Sequence, residues 1–353
     1  MSRRGASGIP AERRFRTTAN LVPGDFDVVM ATGIVSVAAA LLGHEDLSLV
    51  LLAVGAAAWV VLIVLTTRRA VRHTEAVRAD VYDARKTFGF FTFVAGTGVL
   101  AARLSLDGAY DATLALWIVS TLGWVLTGYG LAWLLTSREV ATDFRGVSGN
   151  WLLAVVATQS IAIGAADLAR QWAAHQFLFA AFCLWTIGIG MYAVIIVLVV
   201  TRLFFRPMNP SDFTPDFWVS MGALAISTLA GSVLAVAGAR SPVLRAVHPM
   251  VEGVTVATWA VGAWWIPYLI VTELWRGIRQ GTMGAYYHPR RWAMVFPLGM
   301  FTAASYHLGG AVGLPELQSF SSYFFWVALA AWGITAAQAL WALVSSEGVA
   351  EVA

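Results

Sequence analysis

The chain has a single cysteine, Cys183, a single lysine, Lys86, and charged side chains at only 12% of its 353 positions. Each scarcity excludes something. Cys183 lies inside an apolar run, so no internal disulfide is available and a zinc centre built on thiolates lacks its ligands. Charge this sparse, set against 59% hydrophobic residues, leaves too little polar surface for a water-soluble domain. The first 20 residues carry Arg3, Arg4, Arg13, Arg14 and Arg16, with no apolar core behind them before Phe26. A cleaved signal peptide needs its hydrophobic region sooner, which makes residues 1–22 an uncleaved, disordered basic tail on the cytoplasmic side. The six histidines fall mostly at the ends of apolar runs, and no nucleophile stands beside a base. Neither an enzyme, a haem protein, a metal centre nor any other cofactor site is expected.

What the sequence does have is long apolar runs. A helix needs roughly 20 apolar residues to cross the hydrocarbon core. Ten stretches qualify: 26–43, 47–67, 87–104, 110–136, 150–168, 174–204, 217–238, 248–275, 291–309 and 319–344. They form a transmembrane domain over 23–345, followed by a short tail, 346–353. Cations gather in the N-terminal tail and after the even-numbered runs, among them Arg68, Arg69, Arg72, Arg85, Lys86, Arg138, Arg145, Arg202, Arg206, Arg276, Arg279, Arg290 and Arg291. The opposite loops hold only Arg103, Arg170, Arg240 and Arg245. This asymmetry puts both termini in the cytoplasm. The net charge of +3 is thus a topology signal rather than a nucleic-acid footprint. The use of arginine for lysine points to a GC-rich bacterial genome, hence to a bacterial cytoplasmic membrane.

Odd-numbered runs open on an aromatic and then turn small: "FDVVMATGIVS" from Phe26, "FTFVAGTGVLAA" from Phe91, "WLLAVVATQSIAIG" from Trp151, "WVSMGALAISTLAG" from Trp218 and "WAMVFPLGMFTAAS" from Trp292. Even-numbered runs are longer and bulkier. The alternation is an internal repeat of five helical hairpins. Closed into a quasi-five-fold ring, it places the odd helices inside and the even helices outside.

Helical spacing clusters Thr32, Gly33 and Ser36 in the first run, Thr97 and Gly98 in the third, Thr158 in the fifth, and Ser227 and Gly231 in the seventh. Two readings stand: small residues let helix backbones approach closely, or they leave an axial space lined by dipoles. Packing alone gives no reason for odd helices to be the small ones. In the ninth run Phe296, Met300, Ala303 and His307 share one side, with Gly299 adjoining. Pro297 withdraws a donor from the carbonyl four residues earlier and bends the helix there. Phe296 then projects at a bend, either as a constriction that gates by excluding water or as a ring packed between helices. His248 and Glu252 have metal-chelating spacing, but "HPMVE" also reads as a helix start with proline in the first turn.

The motifs "MATGIVS", "FFTFVAGTGVL", "HPMVEGVTVATWAVGAWWIPY" and "RRWAMVFPLG", in this order, resemble the tellurite-resistance/C4-dicarboxylate transporter family. That family includes bacterial TehA, the fungal malate permease and sulfite exporter, and the slow anion channels of plant guard cells. The resemblance covers about residues 23–345. It implies a ring of five hairpins with an anion path through each protomer, assembly as a homotrimer in lipid, and occlusion of the path by the phenylalanine of the "FP" motif, here Phe296.

Between their ends the odd runs carry no lysine or arginine. A fully dehydrated ion in a low-dielectric interior faces a Born cost on the order of 20 kcal/mol, so the anion keeps much of its hydration or binds weakly. An anion channel or facilitated exporter is the first expectation. A proton-coupled C4-dicarboxylate carrier of the malate type is the second. It needs an ionisable group in reach, and Asp27 at the cytoplasmic entrance and His307 near the outer end are the candidates. For His307 an interfacial role, bonded to backbone or headgroups, stands beside this one.

Overall fold

The computed structural model describes residues 21–137, 146–172, 174–238, 241–280 and 289–344. The N-terminal arginines, Arg138, Arg145, Arg240 and the C-terminal tail expected above lie outside these. The described chain is all helix and turn. Five shorter, buried helices, α1 (Asp27–Leu41), α4 (Phe91–Leu106), α6 (Leu153–Trp172), α8 (Val219–Gly238) and α11 (Trp292–Val312), alternate with five longer ones, α2 (Glu45–Arg72), α5 (Tyr110–Thr136), α7 (His175–Phe205), α10 (His248–Gln280) and α12 (Pro315–Val344). Two short helices, α3 (Thr74–Tyr82) and α9 (Pro242–Arg245), occupy stretches read as loops from sequence.

Composition decides which helices are buried. The small residues of the odd runs let those helices be surrounded: the apolar stretch within Gly149–Trp172 is 100% buried, whereas that within Tyr110–Thr136 is only 11% buried. The long helices turn Leu126, Trp133, Val194, Val271 and Tyr323 outward, as a lipid-facing surface requires. Among the described residues nine helices are long and apolar enough to cross a membrane. This is one fewer than the ten runs read from sequence. The missing one is α11, whose Pro297, three glycines, Tyr306 and His307 dilute its apolar character. It is nonetheless a continuous, mostly buried helix. The chain is therefore a multi-pass helical membrane protein.

Each buried helix packs along the long helix that follows it: α1 with α2, α4 with α5, α6 with α7, α8 with α10 and α11 with α12. The buried helices also touch in succession, α1 to α4, α4 to α6, α6 to α8, α8 to α11, and α11 back to α1. Local features repeat with them. A 3-10 turn precedes every buried helix: Pro23–Phe26, Thr87–Phe90, Gly149–Leu152, Pro215–Trp218 and Pro289–Arg291. At the opposite end, the turns from α1 to α2, α4 to α5 and α11 to α12 each carry a glycine in the left-handed region, Gly43, Gly108 and Gly313. Side chains with a Cβ are strained there, which is why these tight hairpin turns use glycine.

A set of tryptophan hydrogen bonds ties each long helix to the buried helix of the next hairpin. Trp59 of α2 donates its indole N–H to Thr97 Oγ1 of α4 at 2.9 Å, and Trp124 of α5 donates to Thr158 Oγ1 of α6 at 2.8 Å. Trp185 of α7 donates to the Ser227 carbonyl of α8 at 3.0 Å. Trp259 of α10 donates to Ser305 Oγ of α11 at 2.9 Å, and Trp332 of α12 donates to Thr32 Oγ1 of α1 at 3.1 Å. The last bond joins the chain's final long helix to its first buried one. Interhelical hydrogen bonds in membranes average about 0.6 kcal/mol each. A double-mutant cycle of Trp332→Phe with Thr32→Val, read by unfolding in detergent, is accordingly expected to show a coupling of about that size. A cycle for Trp332→Phe with Ser36→Ala, which bonds elsewhere, should show none.

Buried charge is paired at both ends of the bundle. Asp80 of α3 accepts from Arg69 at 2.6 Å and Lys86 at 2.8 Å. At the other end Arg103, fully buried, meets Ser48 Oγ at 2.7 Å and Asp107 at 2.6 Å, with Glu45 at 3.9 Å. Removing one partner of a buried pair costs several kcal/mol, so these clusters fix the ends of α2 and α4. Glu273 and Arg276 pair at the helix surface. His248 sits 2.9 Å from the Ala235 carbonyl and 3.7 Å from Glu252, which accounts for both as helix-start contacts.

Candidate functional site

Three cavities lie in line along the buried helices. One, about 250 Å3, opens at the end where these helices begin; it is lined by Asp25, Asp27, Arg85, Lys86, Asn150, Asp216, Arg290 and Trp292, among others. Its charges are largely matched: Arg290 stands 3.9 Å from Asp216, Lys86 is held by Asp80, and Asp25 accepts the Val22 N–H at 2.9 Å. A larger vestibule, about 600 Å3, opens at the opposite end, with Asp167, Arg170, His175, Ser241 and His307 set in walls of Leu, Val, Ile and Ala.

The large vestibule narrows to a void of about 20 Å3, the space of roughly one water. All five buried helices line this neck: Ile34 and Val37 from α1, Gly98, Val99 and Ala102 from α4, Ser160 and Ile163 from α6, Ile226 and Leu229 from α8, and Met300 from α11. Val37, Ala102, Ile163 and Leu229 border both the neck and the vestibule, so the two are adjacent. The neck's only side-chain polar atom, Ser160 Oγ, already donates to the Ala157 carbonyl at 2.8 Å. A water here has few hydrogen-bond partners.

One side of α11 runs the length of this line. Trp292 borders the first cavity, Met300 the neck and His307 the large vestibule. Phe296, one helical turn from each of Trp292 and Met300, falls between the first cavity and the neck and is only 1% exposed. Ala303, also buried, continues the same side.

The other residues singled out from sequence divide by what they touch. Gly98 and Met300 line the neck. Thr32, Thr97 and Thr158 do not, since their hydroxyls accept the tryptophan bonds from the long helices. Ser36 Oγ bonds to the Ser48 carbonyl of α2 at 2.7 Å, and Ser227 Oγ turns back to the Ala223 carbonyl at 2.7 Å. The glycines mark helix contacts. A Cβ on Gly33 would stand 2.8 Å from Val99, one on Gly299 2.9 Å from Ile34, and one on Gly231 would overlap Thr255 of α10. Pro297 packs on α8, where a Cβ added to Gly222 would come within 2.8 Å of its ring.

The void is thus lined mostly by residues other than those singled out from sequence. In a bundle packed this tightly the hydroxyls and glycines sit where helices touch, and branched aliphatic side chains are left around the void. Sequence reasoning missed Ile34, Val99, Ile163, Ile226 and Leu229 for that reason; only Ile34 and Val99 carried a signal, each two positions after a threonine, Thr32 and Thr97. Asp27 and His307 line cavities at opposite ends, so they do not form one site. Asp167 and Arg170, 3.4 Å apart, join His307 in the large vestibule, a grouping that no spacing along the chain singles out.

Comparison with known proteins bears on this arrangement. The chain is 40% identical over 145 residues to an uncharacterized membrane protein of Mycobacterium tuberculosis strain H37Rv, a match covering 41% of this chain and 73% of that one. The same match holds for the protein of strain CDC 1551. A family model described as SLAC1, voltage-dependent anion channel, matches residues 20–340, nearly the whole chain. The chain belongs to the SLAC1 family, whose members move anions across membranes, the family to which its sequence motifs pointed.

Proposed function

We propose that this chain is an anion channel or facilitated exporter that carries small anions through one path per protomer, with Phe296 as the plug. The observation that carries this is the side of α11 that borders all three cavities through Trp292, Met300 and His307, with the buried Phe296 on the same side between Trp292 and Met300. On this reading α11 is the tenth span, and the succession of contacts among the buried helices closes a quasi-five-fold ring. Gly98, Met300 and the aliphatic neck residues line its axis. Pro297 and Gly222 set the angle at which α11 presents Phe296.

Orientation follows from the arginines. Arg69, Arg202, Arg276 and Arg290 lie at the end where the buried helices begin, which supports assigning that end to the cytoplasm of a bacterial cell. With the inside negative, each anionic charge gains roughly 2.3 kcal/mol per 100 mV on leaving, so a passive path exports. A homotrimer, as the family resemblance implies, gives three such paths side by side.

Proton-coupled uptake of a C4-dicarboxylate is the competing mechanism, favoured by the ionisable groups Asp27 and His307 at the two mouths. Proteoliposomes separate the two. Efflux of labelled anion is expected to follow an imposed voltage and to ignore a pH gradient of two units. Malate uptake that tracks the pH gradient and is indifferent to voltage would establish the carrier instead.

A further inference from the structure

The large vestibule is more elaborate than passage of a small anion requires. Its volume of about 600 Å3 stands against the 20 Å3 of the neck beneath it, and its walls from α7 and α8, at Leu178, Val233 and Val236, are apolar. Of its polar lining residues, Ser241 and Arg170 have hydrogen-bonding capacity left unused. Ser241 is only 2% exposed, and its Oγ has no hydrogen-bond partner among the described residues. An unpaired buried hydroxyl is costly, and a ligand that bonds to it relieves the cost. The Arg170 side chain is 57% exposed and touches Asp167 through a single nitrogen at 3.4 Å, leaving most of its donors open.

We propose that this vestibule binds an aliphatic monocarboxylate of medium chain length. The carboxylate meets Arg170 and Ser241, and the tail lies along Leu178, Val233 and Val236. A single carboxylate is specified because, among the described residues of the lining, Arg170 is the one arginine or lysine, and Asp167 already offsets part of its charge. A second carboxylate finds no further fixed cation among the described residues. An inorganic ion leaves the apolar wall unused. The neck is too narrow for the tail to enter as it stands, so the ligand resides in the vestibule and occupies the mouth of the path. The binding site itself does not depend on the path being conductive.

The test is calorimetric titration of the full chain in lipid nanodiscs with acetate, butyrate and hexanoate, with 1-hexanol as the uncharged control and succinate as the dicarboxylate. Each buried methylene is expected to tighten Kd about fourfold. Hexanoate should bind at least tenfold more tightly than hexanol or succinate. Arg170→Gln should weaken hexanoate about tenfold or more and leave hexanol unchanged. Ser241→Ala should weaken it severalfold, and Asp167→Asn, which removes the like charge, should strengthen it severalfold. Equal binding of hexanoate and hexanol, insensitive to Arg170→Gln and Asp167→Asn, would mean partition into lipid and overturn the proposal; so would tighter binding of succinate. If Arg170→Gln does not fold, Ser241→Ala and Asp167→Asn decide alone by their opposite signs. No voltage or gradient is applied, so a chain that binds hexanoate but passes no current keeps this proposal and loses the channel reading. The reverse result loses only this proposal.

Discussion

Replacing Phe296 by alanine is expected to raise single-channel anion current severalfold in planar bilayers. On the proposed reading the Phe296 ring, on the side of α11 between Trp292 of the first cavity and Met300 of the neck, separates the two, and its removal should join them. The rise should be limited, because the neck around Met300 remains as a second apolar closure one turn away. Phe296→Ala combined with Met300→Ala should therefore exceed either change alone. Truncating a buried phenylalanine typically costs 3–5 kcal/mol, so folding must be checked by gel filtration and thermal unfolding. Phe296→Leu supplies a milder variant, expected to give an intermediate current. Unchanged current in well-folded Phe296→Ala protein would return the ring to a packing role.

Gly149→Ala is expected to be the most damaging single-methyl addition. Gly149 opens the 3-10 turn before α6 and rests on the turn before α8: an added Cβ would overlap the Asp216 carbonyl and stand 2.8 Å from the Phe217 Cα. Backbone on both sides leaves nothing flexible to move, so the two turns must separate. Overpacking of a core costs 1–3 kcal/mol and occasionally more; here about 3 kcal/mol or more is expected, with loss of monodisperse protein on purification. Gly128→Ala in α5 is the contrast. Nothing lies within 4 Å of its added Cβ, and alanine is the better helix former by roughly 0.8–1 kcal/mol. Thermal unfolding in detergent should fall for the first variant and hold or rise for the second.

The hairpin plan was legible because it rests on composition. Small odd runs and bulky even runs can be counted along the chain, and lipid-facing helices must be apolar outside. The orientation of each buried helix was not legible, for a physical reason. An amphipathic helix shows its buried side through the period of its polar residues, but α1, α6 and α8 are enclosed nearly all round, so apolar residues occupy every side. The serines and threonines were then the only pattern, and they marked contacts between helices instead of the axis. Phe296, Met300 and His307 were placed on a common side because their spacing alone fixes it.

The tryptophans held information that was not used. Trp59, Trp124, Trp185, Trp259 and Trp332 each lie within a long helix, well away from the interfacial ends where tryptophan is usual in membrane proteins. An indole N–H in that position needs an acceptor. The hydroxyls of the next odd run were the nearest supply, which assigns Thr32, Thr97, Thr158 and Ser305 to helix contacts. The helices α3 and α9 escaped notice because they are too short and polar to register as spans. Asp80 is anchored through α3, so that omission hid the Arg69, Asp80 and Lys86 cluster as well.

The central claim is a voltage-driven anion path plugged by one aromatic ring. Its most direct measurement is the reversal potential of purified wild-type and Phe296→Ala protein in planar bilayers under a tenfold gradient of a single monovalent anion. The account predicts currents that reverse near the anion's equilibrium potential, about 59 mV for that gradient, with the same reversal and a severalfold larger current in Phe296→Ala. Contradiction would take the form of a reversal set by the cation, or of no voltage-driven current in either protein while labelled malate enters vesicles down a proton gradient.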